Sequence, residues 1–188
     1  MIEGAGGRQV MLMRHGDCGA PEGHCVGQWD LPLTATGAAQ VAAVAAAWRG
    51  DVPQRIVASD LQRARHSAEL LGRYWSVPVA CDARLREIDL GDWQGLSWQR
   101  IQREAPAALA RWGQCWQEQG PPGGESARAL LARVACWWQA CLPGLPRTAL
   151  VVGHAGSLRA LLCQLDGRPA GALFECAVDC AAPFGLRR

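Results

Sequence analysis

Residues 9–16 read Gln-Val-Met-Leu-Met-Arg-His-Gly. The apolar run at 10–13, bounded by polar residues and glycine, predicts a short buried strand in a parallel sheet. Ligands of open α/β sheets bind just beyond the carboxyl ends of the strands. We therefore expect Arg14 and His15 at a ligand site, where Gly16 lets the backbone turn sharply and approach a ligand closely.

A second apolar run ends in the same way. Residues 148–152 are followed by Gly153-His154-Ala155-Gly156. If both strands lie in the centre of one parallel sheet, His15 and His154 meet at one edge of it. For either histidine alone, the alternative is a hydrogen-bonded core residue. Glycine on both sides of His154 is costly unless the backbone must approach something closely, which favours a functional pair.

Strands and helices alternate along the whole chain. The strands are predicted at 10–13, 55–58, 77–81 and 148–152, with an edge strand near 174–178. The helices are predicted at 34–48 with Thr34 or Thr36 as N-cap, 61–75 capped by Ser59-Asp60, 97–104, 106–118, 126–142 and 158–165. This order predicts a three-layer α/β/α sandwich with a mostly parallel central sheet.

The length and composition limit the protein class. The 188 residues suit one domain over 1–188, with a Gly-rich flexible tail at 1–8. A net charge of +2 leaves no basic surface for nucleic acid or an acidic membrane. With no signal peptide and no apolar run near the ~18 residues of a membrane span, we expect a cytoplasmic protein. The nine cysteines contain no Cys-x-x-Cys pair, which argues against a structural zinc site.

A third segment adds to the two strand ends. Arg63 follows Ser59-Asp60 in the first turn of a predicted helix, where backbone N–H groups favour an anion. With Arg14 and the two histidines it would form a cationic pocket suited to a phosphoryl group. Glu87 is the candidate proton donor, and the nearby acidic residues that could be confused with it are Asp82, Asp89 and Asp92.

The order of these motifs resembles the histidine phosphatase (phosphoglycerate-mutase-like) superfamily over residues 10–162. The motifs are Arg14-His15-Gly16, Ser59-Asp60-Leu61-Gln62-Arg63-Ala64, Leu85-Arg86-Glu87-Ile88-x-x-Gly91-Asp92-Trp93, Gly124-Glu125-Ser126 and Gly153-His154. Within the superfamily the chain is most similar to α-ribazole phosphatases of cobalamin nucleotide-loop assembly. Three features carry that likeness: the short length, Leu90-Gly91-Asp92-Trp93, and the Trp-rich stretch before Gly123-Gly124-Glu125-Ser126.

The resemblance implies a phosphomonoesterase that works through a phosphohistidine. His15 would attack phosphorus, which requires a neutral imidazole whose other nitrogen donates to a nearby backbone carbonyl. Arg14, Arg63 and His154 would hold the phosphoryl oxygens, and Glu87 would protonate the leaving alkoxide. It implies no metal and no cofactor, because arginine and histidine stabilise the charge.

One loop departs from the family pattern. The family commonly continues Arg-His-Gly with Glu-Thr and then a phosphate-binding Asn, whereas here the run is Asp17-Cys18-Gly19-Ala20-Pro21-Glu22. Either the phosphate has one donor fewer, or a backbone N–H or another side chain replaces the Asn. His24, in the same long loop, is either solvated or in contact with substrate.

Two further sets of residues have two interpretations each. The tryptophans at 93, 98, 112 and 116 belong either to the core or to the pocket lining. Glu125 and Ser126 either start a helix or lie beside the phosphate.

Several functions fit these residues. The first is dephosphorylation of α-ribazole 5′-phosphate or cobalamin 5′-phosphate, so that the partner is a small-molecule phosphate ester. The second is a broad-specificity phosphatase for sugar phosphates or other small metabolites. A phosphoglycerate mutase fits less well, because such enzymes are generally longer. A non-catalytic relative that only binds a phosphorylated ligand is the alternative from another class. The presence together of Arg14, His15, Arg63, Glu87 and His154 argues against it. A homodimer is left open.

Overall fold

Among the residues that the structure describes, a six-stranded, mostly parallel sheet forms the centre of the molecule. The computed structural model describes residues 2–4, 8–175 and 178–185. The strands are Ile2–Gly4 (β1), Arg8–Arg14 (β2), Arg55–Ala58 (β3), Val79–Cys81 (β4), Thr148–Gly153 (β5) and Phe184–Gly185 (β6). The α-helices are Ala35–Ala47 (α1), Gln62–Trp75 (α2), Trp98–Glu104 (α3), Pro106–Cys115 (α4), Ala127–Cys141 (α5) and Ala155–Asp166 (α6).

The strand order makes β2 and β5 direct neighbours. It runs β1-β2-β5-β3-β4, with β6 also paired to β2. Strands β2, β5, β3 and β4 are parallel, whereas β1 and β6 are antiparallel to β2. In the register of β2 and β5, Arg14 lies opposite Gly153. The residues that follow the two strands, His15 and His154, therefore leave the sheet side by side.

Helices cover the sheet on both faces, as the sequence predicts. Because successive strand residues point to opposite faces, Leu12 and Met13 enter different cores. Met13 packs with β3, β5, α1 and α2, whereas Leu12 packs with β5, α5 and α6. Trp137 is fully buried in the core that contains Leu12. The three-layer α/β/α sandwich with a mostly parallel sheet is confirmed.

A smaller cluster supports the loops beside the sheet edge. Cys25, Leu90, Trp93 and Ile101 form its buried centre, with residues of α4 packed against it. The long first loop is tied to this cluster through the backbone, since Cys25 N donates to Leu96 O at 2.9 Å. Residues far apart in the chain thereby form one wall at the carboxyl end of the strands.

Two predictions near the chain ends differ from the structure. Residues 1–8 are predicted as a flexible tail, but Ile2–Gly4 pairs with β2 and Arg8 begins that strand, while residues 1 and 5–7 lie outside the described part. The ladder of β2 supplies backbone partners that an apolar-run pattern does not reveal. Near 174–178 an edge strand is predicted, but Ala170–Phe174 forms a 3₁₀ helix and residues 176–177 lie outside the described part.

Two helix starts also differ from the prediction. Ser59-Asp60 does not cap α2: its N-cap is Leu61, and Gln62 N donates to the carboxylate of Asp30 at 2.7 Å. Helix α6 begins at Ala155 instead of residue 158, with His154 as N-cap, whose N–H donates to the Ser157 hydroxyl at 3.1 Å as in a capping box. Within the described residues, no helix is both long and apolar enough to cross a membrane.

Candidate active site

His15 lies directly after β2 with its ring held in one orientation. The residue is 3% exposed, and its Nδ1 is 2.7 Å from the carbonyl oxygen of Gly16. A carbonyl can only accept, so Nδ1 carries the proton and Nε2 keeps its lone pair. Arg63 Nε donates to that Nε2 at 3.3 Å, which agrees with the same tautomer. The backbone-carbonyl acceptor expected from the sequence is present.

The surroundings of His15 favour the neutral imidazole. Burial is the largest effect and lowers its pKa, and the cations of Arg63 and Arg14 lower it further. The hydrogen bond to Gly16 opposes these effects, and the resulting pKa is about 3. At neutral pH the ring is therefore uncharged and Nε2 can act as a nucleophile.

His154 lies beside His15, as the adjacent strands require. Their ring centroids are 5.0 Å apart at an interplanar angle of 58°. His154 is fully buried, and burial, followed by the neighbouring His15 and arginines, lowers its pKa well below the usual value. Neither of its ring nitrogens has a hydrogen-bond partner among the described residues. Such a buried group is costly unless a polar ligand contacts it.

Arg63 joins the catalytic histidine candidate to the long first loop. Its Nη1 donates to Trp29 O and its Nη2 to Gly27 O, both at 2.7 Å, while Nε faces His15. The residue is 1% exposed in the first turn of α2. Asp60, predicted as part of the cap of this helix, pairs with Arg86 instead, and the Ser59 hydroxyl accepts from Leu61 N at 3.3 Å.

Arg14 is the second cation of the cleft. It is the last residue of β2 and lines the same cleft as His15 and Arg63. Its Nη1 donates to Val178 O at 3.3 Å. Its buried Nε has no partner within the described ranges, so one more donor near the His15 ring is available to an anion.

Glu87 reaches the cleft against the start of α6. Its Oε2 accepts from Gly156 N at 3.1 Å and its Oε1 accepts from Ile88 N at 2.9 Å. A Cβ on residue 156 would lie 2.1 Å from Oε1, so glycine leaves room for the carboxylate in the position seen here. Glu87 therefore explains the glycine two residues after His154.

Gly16 and His154 both lie behind the residues that line the cleft. The close approach of the Gly16 backbone is to helix α1, since a Cβ there would lie 2.5 Å from Gly37 O. Gly16 contributes to the site through its carbonyl oxygen, which accepts the hydrogen bond from His15 Nδ1. In the divergent loop, Cys18 and Ala20 line the cleft, and neither offers a side-chain amide in place of the family's Asn.

The cleft continues outward from these residues and has a volume of about 250 Å³. Its outer lining is mostly apolar: Ala20, Val26, Ile88, Leu90, Trp98 and Phe174, with His24 and Arg159 as polar members. Trp98 stacks on Trp112 at 5.7 Å and 24°. Sequence reasoning missed Arg159 and Phe174, which lie in no recognised motif and meet the cleft only through the fold.

Known proteins match the chain over most of its length. A sequence model of the histidine phosphatase superfamily (branch 1) matches residues 10–183. The glucosyl-3-phosphoglycerate phosphatase of Mycobacterium tuberculosis is 36% identical over 172 residues, covering 84% of this chain and 75% of that protein. The adenosylcobalamin/α-ribazole phosphatase of Escherichia coli is 31% identical over 174 residues, covering 91% and 85%.

A solved structure shares the same fold. The α-ribazole phosphatase from Shigella flexneri superimposes with a TM-score of 0.85 at 28% identity. The match covers 93% of this chain and 88% of that one. The sheet and the flanking helices therefore belong to one shared architecture.

Proposed function

Because this chain belongs to the histidine phosphatase superfamily and is a phosphoric monoester hydrolase, we propose that it dephosphorylates α-ribazole 5′-phosphate, or the corresponding cobalamin 5′-phosphate, through a phosphohistidine at His15. The observation that carries the proposed chemistry is the buried, neutral His15 ring, with Nδ1 bonded to Gly16 and Nε2 facing Arg63. No metal takes part in the proposed reaction.

The first half-reaction transfers the phosphoryl group to His15. Nε2 forms a bond to phosphorus while the bond from phosphorus to the ester oxygen breaks, and Glu87 gives a proton to the departing alkoxide. Arg14, Arg63 and His154 donate to the phosphoryl oxygens and offset their charge in a loose transition state. The unpaired polar atoms of Arg14 and His154 support these roles.

The second half-reaction returns the enzyme to its starting state. The Glu87 carboxylate takes a proton from water, whose oxygen attacks phosphorus and breaks its bond to His15. Inorganic phosphate leaves, and Glu87 is again protonated for the next alcohol. The hydrogen bonds from Ile88 and Gly156 fix the carboxylate for both steps.

The outer cleft favours an ester whose alcohol carries an aromatic ring. α-Ribazole carries a flat benzimidazole, and the exposed faces of Trp98 and Phe174 lie among apolar lining residues. Aromatic rings stack on such surfaces with a gain of about 1–3 kcal/mol. A sugar ester would instead require several hydrogen-bond donors and acceptors in the same region.

A second candidate is a phosphatase of phosphoglycerate or sugar esters. Arg159 favours it, because its guanidinium lines the cleft, 5.8 Å from the centroid of the Phe174 ring, and suits a carboxylate. The relative from Mycobacterium tuberculosis, named for glucosyl-3-phosphoglycerate, agrees with this alternative.

Steady-state kinetics distinguish the two candidates. Purified protein in EDTA is given α-ribazole 5′-phosphate, glucosyl-3-phosphoglycerate, 3-phosphoglycerate and p-nitrophenyl phosphate. We expect kcat/KM for α-ribazole 5′-phosphate to exceed each of the others by about 10-fold or more. A higher value for glucosyl-3-phosphoglycerate would favour the second candidate, and equal values would indicate broad specificity.

A further inference from the structure

A partly buried ion pair lies behind the segment that carries Glu87. Arg133 belongs to α5, and Glu125 lies two residues before that helix begins. Their side chains are only 21% and 17% exposed. Arg133 Nε donates to Glu125 Oε2 at 3.2 Å, and Nη2 donates to Oε1, so the contact is bidentate. Neither residue lines the cleft.

Arg133 uses its other donors on the backbone around Glu87. Nη1 donates to the carbonyl oxygens of Arg84 and Arg86 at 2.8 and 3.0 Å. Nη2 donates to the carbonyl oxygen of Glu87 itself at 3.2 Å. One planar guanidinium thus fixes three carbonyls within four residues, which a lysine ammonium cannot match.

Glu125 fixes the other end of the same segment. Its Oε1 accepts from Asp89 N at 3.0 Å, and its own N–H donates to Asp89 O at 2.9 Å. The backbone is therefore held on both sides of Glu87, while the carboxylate itself is held by Ile88 and Gly156.

A purely structural ion pair on the same helix looks different. Arg128 also lies in α5 and pairs with Glu118, but their side chains are 70% and 56% exposed. Neither contacts the Glu87 segment in the hydrogen bonds of the described residues. Exposed pairs of this kind contribute little to stability. Arg128 and Glu118 provide a matched control for Arg133 and Glu125.

From this arrangement we infer that Arg133 and Glu125 are positioning residues, which set the reach of the Glu87 carboxyl to the leaving oxygen. The inference rests on the proton-donor role of Glu87 in the proposed function. A carboxyl displaced by about 1 Å can cost about 10²-fold in rate. This loss of rate should appear only for substrates whose leaving group needs a proton from Glu87.

The test compares two leaving groups in kcat/KM, which reports the transfer to His15. An alkoxide requires the proton of Glu87, whereas p-nitrophenolate departs without one. The variants are Arg133→Lys and the double variant Arg133→Met with Glu125→Gln, which leaves no unpaired buried charge. We expect a loss of about 10- to 100-fold on a simple alkyl phosphate and less than about 3-fold on p-nitrophenyl phosphate.

Two reference variants separate the inference from the proposed function. Arg128→Met should retain activity on both substrates. Glu87→Gln should lose activity selectively on the alkyl phosphate, as its proposed role requires. If Glu87→Gln is selective but the Arg133 variants lose both activities equally, or neither, the positioning inference is overturned alone. If Glu87→Gln is not selective, the proton-donor role fails and the inference falls with it.

Discussion

The inner and outer halves of the cleft are built from different parts of the chain. The inner half consists of residues at strand ends and helix starts, and His15 and Arg63 are 3% and 1% exposed. The outer half is formed by loops and short helices, and Trp98 and Phe174 are 36% and 57% exposed. Buried groups at rigid element ends hold a fixed geometry, whereas exposed loop residues vary readily.

This contrast separates the reaction from its substrate. The inner half holds a phosphoryl group by charge and by hydrogen bonds, which are common to every phosphate ester. The outer half contacts the rest of the ester, where an aromatic and a carboxylated substrate differ. Loss of the nucleophile or of a group that holds the phosphoryl oxygens should therefore affect all substrates equally, and damage to the outer half should change their ranking.

Loss of the nucleophile should be the largest effect. His15→Ala removes the atom that forms the bond to phosphorus, and we expect kcat/KM to fall by about 10⁴-fold or more for every ester. Acid-labile phosphoenzyme, trapped after rapid quenching, should disappear in the same variant. His24→Ala, which alters the outer half, should cost about 10-fold or less. Turnover that survives in His15→Ala would refute the assignment.

A single methyl group should displace the proton donor. In Gly156→Ala the new Cβ would lie 2.1 Å from Glu87 Oε1, and the flexible carboxylate must move. We expect kcat/KM for an alkyl phosphate to fall by about 10²-fold. The melting temperature should not fall, because alanine favours helix by about 1 kcal/mol over glycine.

Gly113→Ala is the control for that substitution. Gly113 also lies within a helix, α4, but a Cβ there meets no atom within 4 Å. It should gain the same stability and keep full activity. Equal activity of the two variants would show that the position of Glu87 does not depend on Gly156.

The strand ends of the site follow directly from the sequence. A short apolar run followed by Arg14-His15 or Gly153-His154 predicts both the strand and its functional end, because parallel strands deliver their carboxyl ends to one edge. The start of α2 does not follow from its own residues. Asp60 pairs with Arg86, and the carboxylate at the helix start comes from Asp30, which lies on a distant loop.

The outer half is even less visible in the sequence. Phe174 lies in a 3₁₀ helix near the end of the described chain and reaches the cleft only through packing. The contacts of Arg133 with residues 84–87 span more than 45 positions, and no local pattern encodes them. Local rules thus identify the groups that react, and the fold determines which groups surround them.

Acid should destabilise the folded protein through His15 of the inner half. The pKa of His15 is about 3 in the folded protein and 6.5 in the reference state, so the unfolded chain binds the extra proton between these values. Stability is therefore lost as the pH falls below 6.5. From pH 7 to 5 this one group should cost about 2 kcal/mol.

The measurement is urea unfolding of the wild type and of His15→Gln at both pH values. The variant should lose about 2 kcal/mol less than the wild type over that interval. The comparison of pH dependences is informative even if the substitution changes stability at pH 7. Equal losses in the two proteins would mean that His15 is not held neutral by its surroundings.

The smallest effect should come from the outer half and depend on the substrate. Trp98→Ala removes an apolar face from the cleft, and we expect kcat/KM for α-ribazole 5′-phosphate to fall by about 10-fold through KM. A simple alkyl phosphate, which has no ring to stack, should be nearly unaffected. Tyr74→Ala, an exposed aromatic outside the cleft lining, is the control and should leave both values unchanged. If Trp98→Ala lowers kcat/KM equally for both substrates, Trp98 holds the inner half in place. Reaction and substrate choice would then not be divided between the two halves of the cleft.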